Sequence, residues 1–389
     1  MLLRNTHSLQ KQHKNANNPL TRCIISVFIT INSFYCNKNS NAKLTKEESL
    51  NARLSYRQQL FKNAIALQTV YETNSGNLPQ QEFSYIQVDT GLGFYTWNDY
   101  NNNGIQELDE FEVAQFQDEA NFVRVLLPTI SFVKTHRNKF SQSVTIYPSS
   151  WSNQKGLKKL LSHFTNQSFV LIDSKKKREG ANFELNPFSI NDDVLSLTLN
   201  LKNSLFFNRG KQKYSTTYTY ISTKNKNSFS IGDQEQVLKS HQLLFNHKIG
   251  KFWLFDFKTA LTENKSASEL FSSRNYILDN TEVNPKVSYL YSKNSRLEVL
   301  YHFKNKNNQL GNLETLTSHN FGANFIFAKN QKYSINSSVN LILNTFDGNL
   351  NSPVAYQMLE GLQPGTNYTW NITLQKRITS YLDLNINYL

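Results

Sequence analysis

Between residues 99 and 110 the chain reads Asp99-Tyr-Asn101-Asn-Asn103-Gly104-Ile105-Gln-Glu107-Leu-Asp109-Glu110. Oxygen-bearing side chains at loop positions one, three and five, Gly at six, an apolar residue at seven and Glu at twelve make the pattern of a twelve-residue calcium loop. Calcium takes roughly six to eight hard oxygens in a flexible cage, and alternate residues of a tight turn deliver them on one side. The expected ligands are Asp99, Asn101, Asn103, the carbonyl of Ile105, Glu107 at position nine, and Glu110 with both oxygens. Asn at positions three and five lowers the ligand charge, so the expected affinity is weak, near ~10⁻⁴–10⁻³ M. The expected role of Ca²⁺ is structural, pinning a long loop. An acidic Asn-Gly turn that binds no metal is the alternative. The preceding stretch Gly93-Phe-Tyr-Thr-Trp97 reads as strand and the following stretch 110–116 as a short helix. That makes a lone loop of EF-hand type rather than a paired sensor.

Other chemistry is sparse. The eight histidines are dispersed, and His241 and His247 lie six apart with no third ligand in register. Cys23 and Cys36 form no zinc spacing and no disulfide framework. No nucleophile elbow, phosphate loop or metalloprotease motif occurs, so no enzyme activity is expected. A barrel-embedded hydrolase, with Asp256, His302 and serines converging from separate strands, is the remaining catalytic alternative.

The elements that must carry the loop show one repeated design. In the hairpin 321–345, Phe321, Ala323, Phe325 and Phe327 alternate with Gly322 and Asn324. After a polar turn, Ile335, Val339, Leu341 and Leu343 alternate with Asn336, Ser338, Asn340 and Asn344. Side chains alternate across a strand, so each arm has an apolar and a polar face. The same alternation recurs at 195–202, 253–261, 297–304, 368–375 and 382–388. Arms of about 9–12 residues suit tilted strands crossing a hydrocarbon layer. Short turns near 209–210, 249–250, 293–294, 330 and 378–379 alternate with longer polar loops around 224–234, 264–280, 305–314 and 346–365. That parity belongs to outer-membrane barrels. Tyr and Trp gather toward arm ends, where an amphipathic ring suits the headgroup layer.

These patterns predict an all-β fold: an antiparallel, up-and-down transmembrane β-barrel of about sixteen strands over residues 46–389. One loop/helix insertion of EF-hand type lies at 74–120. Flanking it, the pattern predicts arms at 52–60 and 64–73, then 122–134, a turn at 135–138 and a return at 139–147. Composition agrees. Of the 389 residues, 39% are hydrophobic but 13% aromatic, and mean hydropathy is −0.53. No apolar run reaches the roughly 20 residues of a spanning helix, whereas a barrel strand needs only every second residue apolar. The net charge of +13 is scattered over turns and polar faces, without a nucleic-acid motif. Solvated turns and a nearby anionic membrane surface are the expectation, and no nucleic-acid partner. Residues 1–45 read as a disordered or signal-like extension, with the apolar run 23–31 as a short secretory core but no cleavage site after it. The last arm stops at Leu389 without a closing aromatic, so a further C-terminal strand is expected beyond it.

Three stretches carry a resemblance: GLGFYTWNDYNNNGIQELDEFE at 91–112, NFVRVLLP at 121–128 and AYQMLEGLQPGTNYTW at 355–370. Together they resemble the C-terminal part of large, uncharacterised bacterial outer-membrane β-barrel proteins with a Gly-x-Tyr-x-Trp-x-Asp-x-Asn-x-(Asp/Asn)-Gly loop. The resemblance covers roughly residues 50–389 and implies outer-membrane placement, with lipid and lipopolysaccharide as surroundings and with upstream domains. It brings no activity with it. The expected function is a conduit or surface-assembly barrel. The alternative is a plugged adhesion scaffold whose loops, including 358–365, meet a surface protein or glycan.

Overall fold

The computed structural model describes residues 24–36 and 47–388, apart from short breaks at 62, 101–102, 115, 149–150, 180–181, 190–193, 212, 230–231, 270, 293, 330–332 and 379–381. Among the described residues seventeen strands form one sheet, and consecutive wall strands pair antiparallel throughout. The meander starts with β1 (Ile24–Cys36), β2 (Glu47–Leu60) and β3 (Ile65–Gln87). An insert holding two short strands, β4 (Tyr95–Trp97) and β5 (Phe111–Val113), leads into β6 (Phe122–Ile146), which pairs back on β3. A short helix α1 (Leu157–Leu161) precedes β7 (Phe164–Lys177), followed by β8 (Val194–Phe207), β9 (Tyr214–Phe229) and β10 (Gly232–Ile249). Then come β11 (Trp253–Ser268), β12 (Tyr276–Ser292), β13 (Ser295–Asn308), β14 (Thr315–Lys329) and β15 (Tyr333–Asp347). Helix α2 (Pro353–Leu359) separates β15 from β16 (Gly365–Arg377), and β17 (Asp383–Tyr388) ends the meander. This is the up-and-down antiparallel β-barrel that the alternation predicted.

The register shows what each face meets. Directly opposed residues share a face, and one row reads Tyr218, Leu243, Thr259, Val283, Phe303. On that outward face Leu261, Val299 and Phe321 are 56%, 57% and 50% exposed, which water would not favour over an apolar surround. Aromatic pairs lie on the same face, Trp253 with Tyr289 at 4.8 Å and Tyr301 with Phe321 at 5.0 Å. On β11 the outward run Trp253, Phe255, Phe257, Thr259, Leu261 covers about 26 Å of strand at roughly 3.3 Å per residue. It then gives way to Glu263 and Lys265. At that level the outward face carries cross-strand ion pairs: Lys239–Glu263 at 3.1 Å, Lys224–Glu235 at 2.9 Å and Lys226–Asp233 at 2.9 Å.

The structure corrects several boundaries. Residues 74–87 and 122–137 continue one ladder from Asn74↔Arg137 to Gln87↔Phe122, so the excursion is 88–121 rather than 74–121. No turn occurs at 135–138, because β6 runs through it. Thr135, His136 and Asn138 imitate a turn by composition, yet they are buried at 1%, 3% and 2% exposure, and His136 and Asn138 bond to Thr73 of β3. Through most of the expected loop at 224–234 the strands β9 and β10 continue, paired as far as Phe229 and Gly232, and 264–280 shrinks to 269–275, since polar residues beyond the apolar band still pair along their strands. Turn parity fails at two places: at 147–163, where the shorter-turn rim carries α1, and between β9 and β10, where only two residues separate the strands on the longer-loop rim. Of the expected N-terminal extension, residues 24–36 form β1, and 1–23 and 37–46 lie outside the described residues.

Candidate metal loop and docked helix

The insert is rooted by an aromatic cluster. Tyr85 of β3 stacks on Phe111 of β5 at 4.0 Å and meets Tyr95 edge-on at 5.0 Å, and Phe111 meets Phe122 at 5.0 Å. The Arg124 guanidinium lies over Phe83 and Tyr95, at 4.6 and 4.9 Å, and donates to the Tyr85 hydroxyl at 2.9 Å. Gly93 must lack a side chain, for a Cβ there would stand 2.6 Å from the Phe122 amide nitrogen. Tyr95 is buried at 1% exposure, and its hydroxyl finds no partner among the described residues. Burial pushes this phenol up to about 12, Arg124 pulls it back in part, and the Tyr85 phenol and Glu269 carboxylate add to the rise.

From this root β4 and β5 form a small hairpin, Thr96 opposite Glu112, whose loop is 98–110. The stretch after the loop is therefore strand and not the expected helix, because Phe111 has to reach the Tyr85 ring. Asp99 turns the chain around its carboxylate. Oδ1 accepts from the Asn103 amide at 3.1 Å and Oδ2 from the Gly104 amide at 2.8 Å. Asn103 Oδ1 accepts from the Ile105 amide at 2.7 Å. Gly104 has φ +69°, the left-handed turn required at position six. Glu107 and Glu110 close the other end with reciprocal side-chain to backbone bonds across a 3₁₀ turn. Trp97 Nε1 donates to Glu110 Oε2 at 2.9 Å. Glu110 is 2% exposed, and its Oε1 has no hydrogen-bond partner among the described residues. Within the loop Tyr100 donates to Glu112 of β5, which raises the Tyr100 phenol.

Of the six expected ligands, Asp99 and Asn103 spend side-chain oxygens on loop amides, and Glu110 is bonded to Trp97. Ile105 and Glu107 lie exposed on the same turn, and Asn101 lies outside the described residues. Among the described residues no three or more His, Cys, Asp or Glu groups converge as a ready-made metal cluster.

A second assembly escaped the sequence reading. Ser352 caps α2 by accepting from the Ala355 amide at 3.0 Å, with Pro353 in the first turn. Val354, Ala355, Met358 and Leu359 are all buried, Met358 at 0% exposure, packed on Leu278 of β12 and Leu316 of β14. By register both receiving residues point inward. Lys306 donates to the Met358 carbonyl at 2.8 Å and to Glu360 at 2.7 Å, and Lys304 reaches Glu360 at 2.9 Å. Burial raises the Glu360 carboxyl, but the two ammonium groups outweigh it and hold it at about 2. Met358, expected in a binding loop, is instead the centre of this contact; Tyr356, Gln363 and Pro364 border an open hollow of about 510 Å³. A Ser-Pro start followed by apolar residues at 354, 355, 358 and 359 was the available signal.

The inward face is polar and charged. Asp256 pairs with Lys286 at 3.2 Å, Arg296 with Glu298 at 2.9 Å, Glu282 with His302 at 3.4 Å, Arg53 with Glu72 at 3.2 Å and Arg137 with Asp173. Asp256 and His302 are therefore occupied by Lys286 and Glu282, and no hydrogen bond joins either to a serine among the described residues. Inward bases without a bridging acid among the described residues include Arg57, Lys139, Lys202 and Lys258, placed by their partners Gln68, Glu72, Ile221 and Asn284.

An apolar girdle outside and an ion-paired lining inside are the two faces of this up-and-down antiparallel barrel. No family model matches the chain, and no curated protein sequence matches it. Among solved structures it is similar to the outer-membrane expressed OmpT of Vibrio cholerae, at 8% identity and a TM-score of 0.28, over 94% of this chain and 99% of that chain.

Proposed function

We propose that this chain is a bacterial outer-membrane barrel serving as a conduit or surface-assembly channel, with the 88–121 insert and α2 narrowing one mouth. The reading rests on the register. It sends leucine and aromatic side chains outward over about 26 Å of strand and lysine–carboxylate pairs inward. Charges at mid-strand suit a watery lumen and would be costly in a dry core. Fractionation should place the chain in the outer membrane with heat-modifiable gel migration, and liposomes carrying it should conduct. A protein that stays monomeric in buffer without detergent would end the proposal. The docked α2 favours a second reading, a plugged surface scaffold for a protein or glycan, which a wide conductance would remove.

Within the same proposal the 99–110 loop binds calcium structurally. Support comes from the Asp99 and Gly104 turn and from the orphaned, buried Oε1 of Glu110, a site for a cation to complete. Bound Ca²⁺ would supply charge neutralisation and a cross-link between the two ends of the loop, held by Asp99, Asn103 and Glu110. Terbium luminescence sensitised by the adjacent Trp97 tests it. Calcium-reversible emission that Glu110→Gln abolishes is expected, and no emission at millimolar terbium would refute it.

A further inference from the structure

We infer that the lumen selects anionic solutes, an inference that rests on the conduit reading. The net charge of +13 is not spread evenly between the two faces. Every inward acid from β11 to β13 has a basic partner: Lys286 for Asp256, Arg296 and Lys286 for Glu298, and His302 for Glu282. Several inward bases have no such acid among the described residues. Lys202 stands opposite Ile221 on the lumen side of β8; Lys258 stands opposite Asn284 on β11 and makes no ion pair among the described residues, although its charge reaches the Glu282 carboxylate. On the outward face Lys239, Lys224 and Lys226 are paired with Glu263, Glu235 and Asp233 beyond the apolar girdle. With each of these acids already matched, the further inward bases Arg57, Lys139, Lys202 and Lys258 leave the aqueous path positive. A lumen walled by low-dielectric protein focuses such a field, and lysine and arginine linings favour anions.

The substrate class that follows is small anions: chloride, phosphate and carboxylates. The test is reversal potential in planar bilayers across a KCl gradient, using the full chain. Chloride should permeate over potassium by roughly threefold or more, as a field of a few kT requires. The double variant Lys202→Glu, Lys258→Glu should pull that ratio toward or below unity, with heat-modifiable migration confirming that the barrel still forms. Potassium preference in the unaltered chain, or a ratio unmoved by both reversals, would overturn the inference while leaving the conduit in place. A barrel that stays silent even when Lys306→Gln and Glu360→Gln release α2 would defeat the conduit itself, and this selectivity with it.

Discussion

Met358→Ala should undock α2 without unfolding the barrel. Met358 is 0% exposed and packs with Leu278, Leu316, Val354 and Leu359. Burying three large apolar side chains of α2 gains roughly 5–9 kcal/mol. Ordering a seven-residue helix takes back about 1 kcal/mol or more per residue, so net docking is worth only a few kcal/mol. Truncating a fully buried methionine costs about 2–5 kcal/mol. At about 1.4 kcal/mol per factor of ten, even the lower figure moves the docking equilibrium constant more than tenfold. The ladder between β15 and β16 joins other residues and stays whole. Limited proteolysis at 348–364 should therefore speed up by ten- to a hundredfold, on the order expected from that shift, with heat-modifiable migration unchanged. Unchanged cleavage would refute the docking argument. Loss of the folded band would show that the helix is part of the barrel's global stability.

Acid should release the same helix. The Glu360 carboxyl is held at about 2 against an ordinary 4.5, so its contribution is present above pH 4.5 and is lost as pH falls toward 2. Because Glu360 is half exposed, solvent screening makes the gain smaller than that drop implies, and proteolysis at 348–364 between pH 5 and pH 2.5 should show it; Glu360→Gln should flatten the profile. Tyr95→Phe should leave the insert as stable or firmer by up to about 1 kcal/mol, since it removes a buried hydroxyl without a partner; faster proteolysis at 98–116 would contradict this. Gly104→Ala meets no neighbouring atom but forces a side chain into the left-handed region at about 1 kcal/mol or more. Terbium affinity should fall roughly fivefold, and an unchanged affinity would count against the turn.

The sheet was legible in sequence wherever water or lipid faced one side only, because alternation there has a fixed meaning. Leu297 to Phe303 and Tyr368 to Leu374 are such stretches. It misled where polar residues lie under other chain. Thr135, His136 and Asn138 have the composition of a turn, and only burial against Thr73 and the stretch around Phe183 and Glu184 keeps them in a strand. The calcium-type loop was readable from spacing alone, whereas its setting was not, because the Tyr85–Phe111 stack joins residues distant in sequence. Helix α2 is too short for a periodic signal, and its partners Leu278, Leu316 and Lys306 lie on other strands. The excess of inward bases depends on knowing which face is which along every strand, a matter of register rather than composition.

For a barrel seated in a bilayer as proposed, the ion pairs just above the apolar girdle have a mechanical consequence. Lys239–Glu263 sits one outward step beyond Leu261, so sinking the barrel by a few ångströms would drag a solvated pair into acyl chains. Rising by the same amount would instead bare Trp253 and Phe255 at the opposite margin. Membrane thickness and this protein's vertical position are thereby coupled, and the surrounding lipid must stretch or thin to meet the wall wherever the two lengths differ.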